Sequence, residues 1–231
     1  MSSHECNEEL VLKDLAGHEM QIIRDDGSHR HICFRRPNTR DCWFDLITWP
    51  GVMCITGDMG TYVFSRLHDM FEFFRTDRAY AHRKGKKLGI NPQYWSEKLQ
   101  AHDGFEEFRE ERFRENVKHA FDMWVESEGP ADGEAEPDEI AEFTALKNAL
   151  WAEIEDEVLC NASEQEIRAI DGALAFDSDV TDFNLDNAWE WRCKEFKFHF
   201  IWCCYAIAWG IQLYDETKSY PTSHEQQNPC S

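Results

Sequence analysis

Histidines, cysteines and carboxylates carry what chemistry the residue types and spacing of this chain suggest. His29 and His31 lie two apart among strand-forming residues, so both project from one strand face, a geometry that a metal site can use. With Asp58 or His68 beside them they would form a hydrolytic centre, although no HExxH pattern accompanies them. His199 and Cys203, four apart in an apolar run, share a helix face and offer a soft metal pair. Their competing reading is a hydrogen-bonded core histidine beside a small apolar thiol. No Ser-His-Asp or Cys-His arrangement for nucleophilic catalysis is legible. Gly57-Asp58-Met59-Gly60-Thr61 looks like a phosphate loop only superficially. It lacks the Gly-Lys-Ser/Thr ending, so a tight turn is expected, with Asp58 free to cap the next element.

Carboxylates also supply a second chemistry, an anionic surface. Glu107, Glu110, Glu111 and Glu115 recur along a helix expected from Gly104 to about Ser127, where residues three or four apart are about 5–6 Å from one another. A duplex carries one phosphate per about 3.4 Å of axis per strand, so rows of such carboxylates approximate its charge density. Glu153, Glu155, Asp156 and Glu157 crowd the end of the following helix. There they oppose its dipole and repel each other, an arrangement that selection for stability alone would avoid. The competing reading is a solvated exterior, partly neutralised by pairs such as Glu110–Arg114 and Glu115–Lys118. The basic stretch from Arg78 to Lys87 is expected to be a solvated loop, with a phosphate or an acidic partner as its functional alternative.

Composition sets the context for these candidates. The 231 residues include 45 acidic and 24 basic side chains, for a net charge of −21. Residues 103–190 hold 27 acids and 6 bases, against 14 and 14 in residues 1–102 and four and four in residues 191–231. Such a balance excludes a free-standing nucleic-acid binder and adhesion to anionic membranes. A hydrophobic content of 42% and an aromatic content of 13% exclude a disordered acidic tail. Nine cysteines without a CxxC pair, behind a start with no basic or apolar leader pattern, predict a reducing cytoplasm in which most thiols act as small apolar side chains. The apolar run from Phe200 to Leu213 is short for a bilayer and reads as a buried helix. No cofactor-binding motif is legible.

These candidates need elements to hold them. Gln21–Arg24 and His29–Arg35 flank Asp25-Asp26-Gly27-Ser28, a hairpin signal, and alternation puts Ile32 and Phe34 on one face with His31, Cys33 and Arg35 on the other. Turns at Pro37–Arg40 and Trp49-Pro50-Gly51 lead into Cys42–Trp49 and Val52–Thr56, giving an antiparallel meander of about four or five strands. From Val63 the spacing of Leu67, Met70, Phe71 and Phe74 predicts a helix capped by Ser65. Pro92 opens another with Tyr94, Trp95 and Leu99 on its apolar face. Beyond an acidic loop at 128–137, a helix from Pro137 carries Ile140, Phe143, Leu146, Leu150, Ile154 and Val158, and a short one spans Glu164–Ala173. The last helix is expected from about Asn187 to Tyr214, apolar all round and therefore central.

Several motifs bear a family likeness. They are Ile22-Ile23-Arg24-Asp25-Asp26-Gly27 with Arg30–Phe34, Trp43-Phe44-Asp45-Leu46-Ile47-Thr48-Trp49-Pro50-Gly51, Gly57–Arg66, Asn91-Pro92 with Tyr94–Leu99, and Trp202-Cys203-Cys204-Tyr205-Ala206. Together the chain resembles a family of uncharacterised proteins encoded by tailed phages and prophages. That resemblance covers most of the chain and is weakest between Gly129 and Ala188. It implies a viral accessory protein in the bacterial cytoplasm and brings no catalytic residues with it.

The expectation is an α+β fold: an N-terminal antiparallel meander (residues 20–64) packed on a mostly helical remainder (65–127 and 138–218) around the hydrophobic last helix. It would form a single compact domain over residues 1–231, with a flexible tail at 219–231. The leading functional expectation is a phage-encoded inhibitor of a bacterial defence system, of anti-restriction or anti-CRISPR type. Glu107, Glu110, Glu111, Glu115, Glu153, Asp156 and Glu157 would occupy a basic nucleic-acid-binding surface of a host protein. No cofactor, direct nucleic-acid partner or membrane partner is expected. The alternatives are a small metal-dependent hydrolase or nucleotide-modifying enzyme centred on His29, His31, Asp58 and His68, and a phage structural or assembly protein.

Overall fold

Strand pairing in the N-terminal half follows from where the chain can turn. A computed structural model describes residues 5–130, 136–162 and 165–219; the expected tail beyond 219 and the centre of the acidic loop fall outside them. After helix α1 (Glu8–Asp14), strands β1 (Glu19–Asp26) and β2 (His29–Arg35) meet across Gly27, whose φ of 59° suits glycine. Strands β3 (Phe44–Trp49) and β4 (Val52–Gly57) turn at Pro50-Gly51, and β5 (Gly60–Ser65) follows across Asp58-Met59. Gly57-Asp58-Met59-Gly60 is therefore a hairpin turn. Helices α2 (Met70–Arg75), α3 (Arg78–Arg83) and α4 (Pro92–Ser96) come next, and β6 (Leu99–His102) then returns to pair with β5. The result is a six-stranded antiparallel meander in the order β1-β2-β3-β4-β5-β6.

Residues 106–195 then form a different region. They comprise β7 (Glu106–Phe108), α5 (Glu110–Glu128), α6 (Pro137–Glu153) with a π turn at Ile154–Val158, α7 (Glu166–Leu174), and most of β8 (Lys194–Phe196), which pairs with β7. The last element is the 22-residue helix α8 (Phe198–Ser219). The chain is thus α+β: a six-stranded antiparallel meander followed by a mostly helical remainder. Where one compact domain was expected, the contacts fall into two units, residues 1–105 with 196–231 and residues 106–195. Among the described residues no helix is long and apolar enough to cross a membrane.

In the first unit, one sheet face and α8 share a core. Ile32, Phe34, Phe44, Leu46, Ile55, Tyr62 and Phe64 are at most 1% exposed, as are Phe200, Trp202, Cys204, Ala206 and Ile207 of α8. Gly210 lets the helix settle onto the sheet. A Cβ there would lie 3.0 Å from Phe34 Cζ and 3.1 Å from Leu46 Cδ1, tighter than ordinary packing. Polar pins fix the ends of α8: Trp202 Nε1 donates to Asp14 Oδ2 at 3.1 Å, and the Tyr214 hydroxyl donates to Asp25 Oδ1 at 2.9 Å. Near its C-terminus Asp215 accepts from Arg75 at 2.6 and 3.0 Å and from Arg78 at 2.8 Å.

The second unit builds its own core. Phe113, Val117 and Phe121 of α5 are buried with Leu150, Ile154 and Val158, with Ala169 and Ala173 of α7, and with Phe176, Phe183 and Leu185. Trp124 stacks on Phe143 at 5.8 Å, and Phe121 meets Trp151 at 4.8 Å. The late part of α5 therefore lies against the early part of α6, and the two helices form an antiparallel hairpin.

Several expected boundaries shift, each for a local reason. Val63 belongs to β5, and α2 is capped by Asp69, whose Oδ1 accepts from Phe71 N at 3.0 Å, rather than by Ser65. Leu99 opens β6 because a partner strand lies beside it. The expected loop from Arg78 contains α3, and the helix expected from Gly104 starts at Glu110, with β7 before it. Ile140 is 49% exposed, so the buried stripe of its helix begins later. The last helix begins at Phe198, since the apolar run before it is split between a short 3-10 turn and β8.

Asp215 gives this fold a measurable pH signature. Burial alone would raise its pKa, but hydrogen bonds from Arg75 and Arg78 overcome that and hold it below the usual carboxylate value of 3.8. The stability it contributes is present above its unfolded pKa and lost as pH falls through the lower folded value. Asp215→Asn is expected to cost about 1–3 kcal/mol at pH 7, because the partly solvated arginines lose their charge partner. Urea unfolding should show that difference shrinking below about pH 4.

Candidate functional site

Net charge divides with the two units. Residues 106–195 carry 27 acidic and 8 basic side chains, a net of −19, whereas the other unit holds 18 and 16, a net of −2. Almost the whole excess of the protein therefore sits on one separately packed body.

Within that body, the antiparallel hairpin brings the two expected acidic groups to the same end. Arg114 shows the connection, since it pairs with Glu110 at 2.7 Å while its Nη2 donates to the Leu159 carbonyl at 3.1 Å. The start of α5 thus lies against the end of the α6 segment. Glu107 lies on β7 rather than on a helix and pairs with Arg109 at 2.6 Å. Glu115 pairs with Arg112 at 2.9 Å instead of with Lys118, which reaches Asp122. Arg112 is shared with Glu195 at 2.6 Å. Glu153 accepts from the Ser178 hydroxyl at 2.6 Å. Glu111, Glu155, Asp156 and Glu157 are exposed.

The last three of those acids sit on the π turn, with Ile154 and Val158 buried and no basic residue in the turn. Ile154 and Val158 point into the core while the three carboxylates are exposed. Such turns are uncommon and recur at functional sites. Acids at a helix C-terminus oppose its dipole, by about 0.3–1 kcal/mol each at the surface.

The histidine candidates separate. His31 meets neither His29, Asp58 nor His68; its Nε2 lies 3.0 Å from Asp45 Oδ2 and 3.6 Å from Cys33 Sγ. Asp58 accepts from Cys42 N at 2.8 Å and so holds its turn instead of capping a helix. His68 and His199 are exposed, while Cys203 is buried and donates to the Met59 carbonyl. His199 is thus no core histidine, and among the described residues it joins no ligand cluster with Cys203.

Two partners of His31 were missed in the sequence reading. Alternation already put Cys33 on its face, and Asp45 is a lone charge inside the apolar strand Phe44-Asp45-Leu46-Ile47. Only the β2–β3 register, which sets Cys33 opposite Asp45, reveals the grouping. Beside it is an open cleft of about 660 Å³, lined by Cys33, Arg35, Arg36, Arg40 and Trp43 among others. Backbone at Asn38 (φ 65°) and Cys42 (φ 56°) shapes the connection that forms its wall.

Comparison with protein-family models, with curated proteins and with solved structures gave no match.

Thiol accessibility tests one part of this layout. Burial pushes the Cys203 and Cys204 thiols well above the ordinary value of 9.0 and Cys6 up to about 12, whereas Cys160 is exposed. Thiolate is the reactive form. Brief iodoacetamide treatment of the native protein at pH 8 should label Cys160 well ahead of Cys203 and Cys204 in peptide mass mapping. Equal labelling would contradict the buried placement of α8.

Proposed function

We propose that this protein acts by docking its acidic unit onto a basic, nucleic-acid-binding surface of a host protein, as a phage-encoded inhibitor of a bacterial defence system. The observation that carries this reading is the concentration of a net −19 in residues 106–195, with Glu111, Glu155, Asp156 and Glu157 exposed at one end of the hairpin. Glu107, Glu110, Glu115 and Glu153 are held in place by their arginine and serine partners. Fixed carboxylates lose less entropy on docking than free ones. A field of this size also speeds encounter with a positive partner and makes association depend on salt. The phage and host-defence setting comes from the motif resemblance, and the charge surface supplies the mode of action. Enzymatic activity forms no part of this reading.

Reversal of the exposed acids separates binding from stability. The variant Glu155→Lys and Asp156→Lys removes repulsion at the helix end, so its thermal stability is expected to be equal or slightly higher. Its affinity at low salt for a host protein captured from a bacterial lysate on the unaltered chain should fall on the order of 100-fold. Unchanged affinity in a folded variant would overturn the docking mode.

A further inference from the structure

We propose that His31, Cys33 and Asp45 form a transition-metal site, one that takes Zn²⁺ in preference to Mg²⁺ and Ca²⁺, on the face of the sheet turned away from α8. This assignment is independent of the acidic-unit reading and concerns the other unit.

Strand geometry makes the site. Side chains two apart on β2 share a face, which aligns His31 with Cys33, and the register sets Asp45 of β3 directly opposite Cys33. The three donor atoms all lie within 4.8 Å of one another. His31 Nε2 is 3.6 Å from Cys33 Sγ and 3.0 Å from Asp45 Oδ2. Zinc bonds of about 2.0–2.1 Å to nitrogen or oxygen and about 2.3 Å to sulfur put tetrahedral vertices roughly 3.3–3.6 Å apart. The imidazole and thiol are therefore spaced as two such vertices, and the imidazole–carboxylate separation falls a few tenths of an ångström short of a vertex spacing.

The surroundings suit a metal as well. Cys33 is 3% exposed and Asp45 8%, while the His31 side chain is 37% exposed, so the group is open on one side. Arg35 Nη2 lies 3.4 Å from the second Asp45 oxygen, the kind of outer partner that orients a ligating carboxylate. Cys33 also lines the cleft, which leaves room for a fourth, non-protein ligand such as water. One thiolate, one imidazole and one carboxylate favour zinc over the hard ions magnesium and calcium. As the metal–sulfur bond forms, the Cys33 proton passes to the buffer, and no electron is transferred.

The test uses the full chain, stripped with EDTA and dialysed against Zn²⁺ or Co²⁺. One zinc per chain is expected by elemental mass spectrometry, with X-ray absorption showing a first shell of one sulfur and three nitrogen or oxygen atoms. Co²⁺ should give tetrahedral visible bands and a near-ultraviolet thiolate charge-transfer band, both lost in Cys33→Ser and kept in Cys160→Ser. Asp45→Asn should weaken Zn²⁺ binding at least tenfold. No retained zinc, a first shell without sulfur or with two, or a cobalt spectrum unchanged in folded Cys33→Ser would each overturn the assignment. The absorption measurement on the unaltered chain decides the matter if the variants fail to fold.

Discussion

Everything in the first unit depends on covering one face of a six-stranded sheet with a single apolar helix. A meander buries nothing by itself: it presents Ile32, Phe34, Phe44, Leu46, Ile55, Tyr62 and Phe64 on one side and needs a lid. Helix α8 supplies it, with Gly210 allowing close approach and with α1 and α2 closing over its remaining sides. Each large side chain so buried contributes about 1.5–3 kcal/mol, which makes this contact the main source of stability in that unit. The lid follows the acidic unit in sequence, so the core closes only after residues 106–195 have been passed. Such long-range closure favours slow folding. It also requires the inserted unit to hold itself together, and its separate core of aromatic and small side chains meets that requirement.

That separation matters for electrostatics. A net −19 distributed over the sheet would load the unit whose stability depends on packing a single helix, and self-repulsion would work against compactness. Confined to the inserted unit, the charge leaves the sheet and α8 almost neutral. Within the inserted unit, arginines at positions 109, 112 and 114 hold the acids near the start of α5. The π turn carries Glu155, Asp156 and Glu157 at the end where the helix dipole disfavours them. The unit gives up some stability to keep that surface, which is the physical basis of the proposed docking role.

Much of the fold was legible because its signals are local. Alternation in His31–Arg35, the turn residues Gly27 and Gly51, and the almost wholly apolar character of Phe200–Leu213 require no knowledge of distant partners. Strand β6 was not legible, since Leu99-Gln100-Ala101-His102 is only four residues long, mostly exposed, and becomes a strand only beside β5. The start of α8 was misread because Trp189, Trp191 and Phe196 continue its apolar composition, although Trp189 is 68% exposed and Trp191 packs in the other core. At the candidate sites the same limit applies. The acidic clusters are visible as composition, but their meeting at one end of a hairpin depends on packing between α5 and α6. His31 was singled out, yet its partners Cys33 and Asp45 emerge only from strand register.

If the acidic unit takes the place of nucleic acid on its partner, as proposed, the two must compete for one surface. With the captured host protein immobilised, a short labelled duplex and this protein are offered together over a range of ratios at fixed low salt. Mutually exclusive binding, with the duplex displaced stoichiometrically and the displacement weakening as salt rises, is the predicted result. A stable ternary complex, in which the partner holds duplex and protein at once, would contradict it.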